Sequence, residues 1–390
     1  MKKYEILKSK AYDNISSYKE IAIELNDYLA DNPEISGEEY KSSKRIVDIL
    51  TGHGYHVEYP FAGYETAFRA KLGNKTYKRN IAILTEYDAL PEIGHACGHC
   101  TSAAISILTA LAVKDMQEEL DANIEIIGTP VEETDGAKCT MAKNGVFDKY
   151  DMALMVHLYG ENLISPNLLA LDSFIYTFHG KSAHASAAPW EGVNALNAVQ
   201  LMFHAIDMLR QHVKPDVRMH GVIKNGGLAP NIVPEIASAE FYIRSLDRNY
   251  LNELGKKVDD CAKGAAIATG TTFEKTSTAE SYDNLKPNKT GLLVLEETYK
   301  ELGLEIGDTE KVFGSSDAGN VSMICPAFHP LLQIVDASVA LHTREFEKEV
   351  KSERAYQGIE TGAKILSLQI LKIFTDEEKF QSMKQDFLKN

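Results

Sequence analysis

Two spacings of apolar residues alternate along this chain. In residues 15–29, Ile15, Tyr18, Ile21, Ala22, Leu25, Tyr28 and Leu29 recur with the helical period and predict a helix with one buried face. Asn32-Pro33 stops it. Ser36 and Glu39 form an S-x-x-E capping box, which predicts a second helix ending near Gly52 and Gly54. Strand-like runs follow at 55–59 and 67–72. The run that opens IAILTEYDALPEIGHACGHC (residues 81–100) has no helical period and predicts a strand buried on both faces. TSAAISILTALAV (101–113) reads as a buried helix. NIEIIGTP (123–130) and DMALMVHL (151–158) read as two further buried strands. Three apolar strands separated by helical segments, each releasing polar groups at the same end, predict an α/β fold: a mostly parallel sheet with helices on both faces.

The pattern changes near Leu168. Strands at 170–179, 218–224, 236–246 and 271–276 alternate with helices at 193–212 and 250–268, the second capped by Asp247. The order β-α-β-β-α-β predicts a ferredoxin-like α+β module. Because α/β character resumes afterwards, the module is expected to be an insertion: residues 1–167 and 283–390 form one domain, and residues 168–282 the other. In the resumed part we expect a helix at 291–301 and a Gly/Ser-rich turn at FGSSDAGNVS (313–322). A strand at 329–335, a loop carrying His342 and one long helix over 345–373 follow.

A length of 390 residues fits two domains better than one. The net charge of −15 argues against nucleic-acid or anionic-membrane partners, which need a basic face. Five cysteines, odd in number and scattered, speak against a disulfide framework. The first residues show no apolar signal segment, and no run approaches the ~20 apolar residues that span a bilayer. The expected compartment is cytoplasmic.

The candidate chemistry sits where strands end. Cys97, His99, Glu133, His157 and His342 offer thiolate, imidazole and carboxylate, the donors suited to zinc or a similar divalent ion. Ligands from separate strand ends describe a catalytic site more than a local zinc clip, and their number fits two metal ions. Taken singly, each residue has a plainer reading. Glu132-Glu133 would be a solvated pair, His157 a core histidine, His184 a loop or capping histidine, and Arg244 a strand-edge ion-pair partner. Cys97-x-x-Cys100 could be a redox pair, although two flanking histidines on a polar turn favour metal. Cys139, Cys261 and Cys325 read as ordinary buried thiols.

The motifs EYDALP, GHACGH, VEE, the HL strand end, GKSAHASAAPWEGVNAL, APNIVPE, FYIRS and GSSDAGNVS resemble, in order, the aminoacylase/carboxypeptidase family of co-catalytic metallohydrolases (metallopeptidase family twenty). Within it the motifs most resemble the branch of the p-aminobenzoyl-glutamate, β-alanyl-lysine and indole-acetyl-amino-acid hydrolases. The resemblance implies two divalent ions, zinc or manganese, held by Cys97, His99, Glu133, His157 and His342. It implies Glu132 as general base and Asp88 as the group that orients a ligand. It also implies that the inserted domain makes a homodimer, and that His184 polarises the scissile carbonyl across subunits. Asn231 and Arg244 would hold the substrate, assisted by His220. The implied reaction is hydrolysis of an N-acyl amino acid, an aminobenzoyl-glutamate-like compound or a small dipeptide by metal-activated water. A catalytically inactive homologue that only binds metal or ligand, or a thiol redox protein using Cys97 and Cys100, stands as the alternative. Cys100 is a departure, since the branch more often has Asn or Asp there.

Overall fold

The computed structural model describes residues 2–308 and 314–389, so Phe313 of the expected Gly/Ser-rich turn lies outside the described residues. The chain forms two compact units. The first comprises the chain up to Asn167, the stretch from Leu285, and the chain from Asp317 onward. The second spans Leu168–Asn284 and the short return ending at Ser316.

The first unit is built on strands β1 (Tyr55–Glu58), β2 (Phe68–Leu72), β3 (Arg79–Thr85), β4 (Ala122–Gly128), β5 (Met152–Leu154) and β6 (His157–Tyr159). The second contributes β7 (Ala170–His179), β8 (Arg218–Asn225), β9 (Ile236–Ser245) and β10 (Thr272–Ser277). The chain then returns to the first unit as β11 (Ala327–Phe328) and β12 (Leu331–Gln333). The main sheet has the order β1-β2-β4-β3-β5-β11. Its β4-β3-β5-β11 part is parallel, and β2 adds antiparallel to β4. Side chains alternate across this sheet. Ile81, Ile83, Ile124 and Ile126 enter the core beneath helices Lys2–Asp31, His99–Val113 and Glu353–Phe374. Ala82, Leu84, Ile127 and Ala153 enter a second core on the opposite face. Burial on both faces explains the unbroken apolar runs, each isoleucine contributing about 2 kcal/mol. Because β3, β4 and β5 run parallel, their carboxyl ends meet at one edge.

Four expectations are corrected. The run 151–158 is two strands: β5 stays in the main sheet, and β6 pairs with β12 in a separate ladder. Pro330 lies between β11 and β12 and has no N–H to continue the ladder. The Ser36/Glu39 capping box does not form. Glu39 stands at the N-cap of helix Tyr40–Gly52 with no side-chain cap bond. The long helix over 345–373 is two, Arg344–Glu349 and Glu353–Phe374, because Ser352 caps the second by accepting from the Ala355 N–H. Part of the expected turn is helical, Ala318–Ile324. Helices Ala137–Lys143 and Glu377–Lys389 were not expected.

In the second unit the four strands are antiparallel in the order β10-β7-β9-β8, the ferredoxin-like arrangement. Helices Ala195–Leu209 and Arg248–Thr269 pack on it around a core of its own, including Tyr176, Phe178, Val199, Phe241 and Leu254. Asp247 caps the second helix, accepting from the N–H groups of Asn249 and Tyr250. Among the described residues, no helix is long and apolar enough to cross a membrane.

Candidate metal centre

The turn between Pro91 and His99 brings two donors to the carboxyl edge of β3. Gly98 adopts φ +84°, and a Cβ there would lie 3.0 Å from the Leu158 Cβ. A glycine at this position therefore admits the tight turn that separates Cys97 from His99 at the start of the helix. Cys97 Sγ lies 3.4 Å from His157 Nε2 and 3.4 Å from His342 Nε2. His342 Nε2 is 3.6 Å from Glu133 Oε1, and His99 Nε2 is 3.9 Å from Glu132 Oε2. Three sets result, each with its ligand atoms within 4.8 Å of one another: Cys97/His99/His157, Cys97/Glu133/His342 and His99/Glu132/Glu133. His342 adopts φ +61°, held by its N–H donating to the Ala96 carbonyl.

The donor set fits a divalent cation. His99 Nδ1 donates to the Asp88 carbonyl at 2.9 Å, and His157 Nδ1 to the Leu158 carbonyl at 3.0 Å. A carbonyl only accepts, so both rings carry a proton on Nδ1, and in the neutral form each turns an Nε2 lone pair inward. Burial opposes charge on His99, but Cys97 and Asp88 raise its proton affinity well above the ordinary value, and a cation at Nε2 would take the place of that proton. His99 Nε2 and Glu133 Oε1 are buried without a hydrogen-bond partner among the described residues. Burial, with the neighbouring His99 and His329, pulls His157 down to about 3, so its ring is neutral as a ligand must be. Burial and the Glu133 carboxylate push the Cys97 thiol well above its ordinary range, and a coordinated cation is what makes such a thiol a thiolate.

Asp88 is wholly buried and contacts two members of this set. Its Oδ2 accepts from Ser36 Oγ at 2.7 Å and from the Glu133 N–H at 2.9 Å, and its Oδ1 lies 3.1 Å from His99 Nδ1. Burial alone would raise its carboxyl, but His99 and these donors hold it well below the carboxylate range. Glu132 shows the opposite balance. Burial, then Glu86, Glu133 and Asp317, push it well above the ordinary value.

Sequence reasoning missed the acidic neighbours of Glu132. Glu86, Glu132 and Asp317 form a fourth compact set, but the ammonium of Lys138 already lies among them. It is 2.7 Å from Glu86 and 2.6 Å from Asp317, all three side chains being fully buried. This set has its cation built in. Burial would raise Glu86, yet Lys138 and the nearby histidines bring it down to about 2. Removing the ammonium would strand buried charge, at a cost of about 3–5 kcal/mol. His329, stacked on His157 with ring centroids 5.5 Å apart, is likewise buried and was not singled out. A lysine in a short helix carries no signal of burial; Glu86, directly after a buried strand, did.

The other predicted residues lie in the second unit. Ala185, next to His184, donates to the Asn231 carbonyl at 3.0 Å, so His184 and Asn231 share one loop pair. His184 Nδ1 accepts from the N–H groups of Ser186 and Ala187 at 3.3 and 3.2 Å. His220 and Arg244 both flank Tyr242 on the sheet. Arg244 donates to Ser315 Oγ at 3.2 Å, while its buried Nε has no partner among the described residues. Burial lowers the Arg244 guanidinium from its usual value. The Cys100 thiol sits in the core, 3.8 Å from Thr101 Oγ1, and no disulfide joins any of the five cysteines.

Residues 170–269 match the peptidase dimerisation domain. Over 402 residues the chain is 33% identical to a mouse (Mus musculus) protein, Xaa-Arg dipeptidase, covering 98% of this chain and 92% of that one. It is 31% identical over 283 residues to one of the subunits of p-aminobenzoyl-glutamate hydrolase from Escherichia coli, covering 67% of this chain and 58% of that one. Among solved structures, a dinuclear metal-binding peptidase of Bacillus subtilis superposes with a TM-score of 0.70 at 19% identity, covering 92% of this chain and 99% of that one.

Proposed function

This chain belongs to metallopeptidase family twenty and is a hydrolase of amide bonds, and on that premise we propose that it cleaves small dipeptides with Glu132 as general base. The observation that carries the reading is the convergence of Cys97, His99, Glu133, His157 and His342 beside a carboxylate, Glu132. These five residues would hold two divalent ions, with the thiolate and imidazoles favouring zinc over manganese. Such ions would supply Lewis acidity for the scissile carbonyl and a lowered pKa for the attacking water. Glu132 takes the proton of that water and hands it to the departing amine. Asp88 fixes the His99 ring and the Glu133 backbone. Arg244 and Asn231 engage the substrate's carboxylate or carbonyl, with His220 beside Arg244. His184 donates to the developing oxyanion from the partner subunit of a homodimer made by the second unit. Five cysteines outside any disulfide support a cytoplasmic setting.

Near-complete coverage of a dipeptidase, against partial coverage of an aminobenzoyl-glutamate hydrolase, supports a dipeptide over an N-acyl amino acid. The test is a panel of Xaa-Arg and Xaa-Lys dipeptides, p-aminobenzoyl-glutamate and N-acetyl amino acids, assayed with zinc- and manganese-loaded enzyme. Dipeptides should turn over fastest. Glu132→Gln should lower kcat by about 100-fold or more while metal content stays near normal. Full activity in that variant removes Glu132 as the base.

A further inference from the structure

Val131, directly before Glu132 and Glu133, adopts φ +56°. For a β-branched residue this is a strained backbone, sustained only where the surroundings enforce it. What enforces it is Glu39. Its Oε1 accepts from the Val131 N–H at 3.0 Å and from the Gly37 N–H at 2.8 Å. Its Oε2 accepts from Thr66 Oγ1 at 3.0 Å. On the other side, the Val131 carbonyl accepts from the Gly136 N–H at 2.8 Å. Glu39 is wholly buried and belongs to none of the ligand sets. Although it stands at the start of a helix, its carboxylate makes no cap bond there. Three residues earlier, Ser36 holds Asp88, which in turn holds the Glu133 N–H. One short segment thus grips both sides of the turn.

We infer that Glu39 is a positioning residue for Glu132: by clamping Val131 in the left-handed conformation it fixes the direction in which Glu132 leaves the backbone, while Asp88 separately holds the Glu133 N–H. The inference rests on the reading of Glu132 as the base. Removing the clamp lets Val131 relax to negative φ, which swings Glu132 out of line. A displacement of about 1 Å at a reacting group costs about 100-fold in rate.

The test uses the metal-loaded enzyme and the variants Glu39→Ala, Glu39→Asp, Glu39→Gln, Val131→Gly and the double variants with Val131→Gly. Glu39→Ala and Glu39→Asp should lose about 100-fold in kcat, with KM and metal content little changed. Glu39→Gln keeps an oxygen for the Val131 N–H and should stay near wild type. Glycine adopts positive φ freely, so Val131→Gly should restore about 10-fold of what either loses. Crystal structures of Glu39→Asp and Glu39→Ala should show Val131 at negative φ. The inference is overturned if Val131 keeps positive φ without the clamp, if kcat is unchanged, or if glycine restores nothing. Wild-type enzyme that cleaves no member of the panel instead overturns the hydrolytic reading, and the Val131 angle still decides the clamp.

Discussion

Which ring nitrogen carries the proton divides the histidines by task. His99 and His157 give their Nδ1 proton to backbone carbonyls, so Nε2 is the nitrogen left to face a cation. His184 does the reverse: its Nδ1 accepts two backbone N–H groups, so the neutral ring holds its proton on Nε2 as a donor. Nitrogen-15 shifts of the ring should therefore report an unprotonated Nδ1 and a protonated Nε2 for His184. The opposite pattern would remove it as a hydrogen-bond donor to an oxyanion. At this scale the sequence was informative where a donor stood at or just past the end of an apolar run, as for Glu133 after NIEIIGTP and His157 in DMALMVHL. It was silent on Lys138, because nothing in AKCTMAK marks its first lysine as buried and its second as solvated. Glu39 was read, but for the wrong partner: S-x-x-E spacing is shared by a helix cap and by two long-range clamps.

Elements were legible where one period ran without interruption. The buried strands β3 and β4 and the helix His99–Val113 follow from apolar runs of strand and helix length. Breaks were harder. Val350 to Ser352 interrupts a stretch whose periodicity continues, and only the capping role of Ser352 separates the two helices. Ser352→Ala should accordingly lower stability by about 1 kcal/mol, read from the urea midpoint. An unchanged midpoint would mean that the second helix starts without its cap. The β5–β6 break has another origin: it reflects Pro330, far along the chain, on the strand that pairs alongside. No local reading of DMALMVHL contains that information.

At the scale of the molecule, the two units have separate cores, and the ligand sets all fall in the first. Ions bound there stabilise that unit alone. At free ion about a thousandfold above Kd the gain is about 4 kcal/mol, or on the order of 10 °C in its transition. Calorimetry with and without a chelator should show the first unit's transition falling while the second's holds; a common fall of both would show that the cores unfold together. The insertion was legible because strand and helix order changed character at Leu168 and changed back. The same interruption has a consequence for biosynthesis. Cys97, His99, Glu133 and His157 are translated before the second unit, but His342 and β11, the partner of β5, come after it. At ~5–20 residues per second, the nascent chain waits on the order of ten seconds or more with an open-sided ion site and an unguarded thiol. Were these residues to hold ions, the site would close only late in synthesis, and an oxidant reaching Cys97 in that interval acts before the fold can shield it.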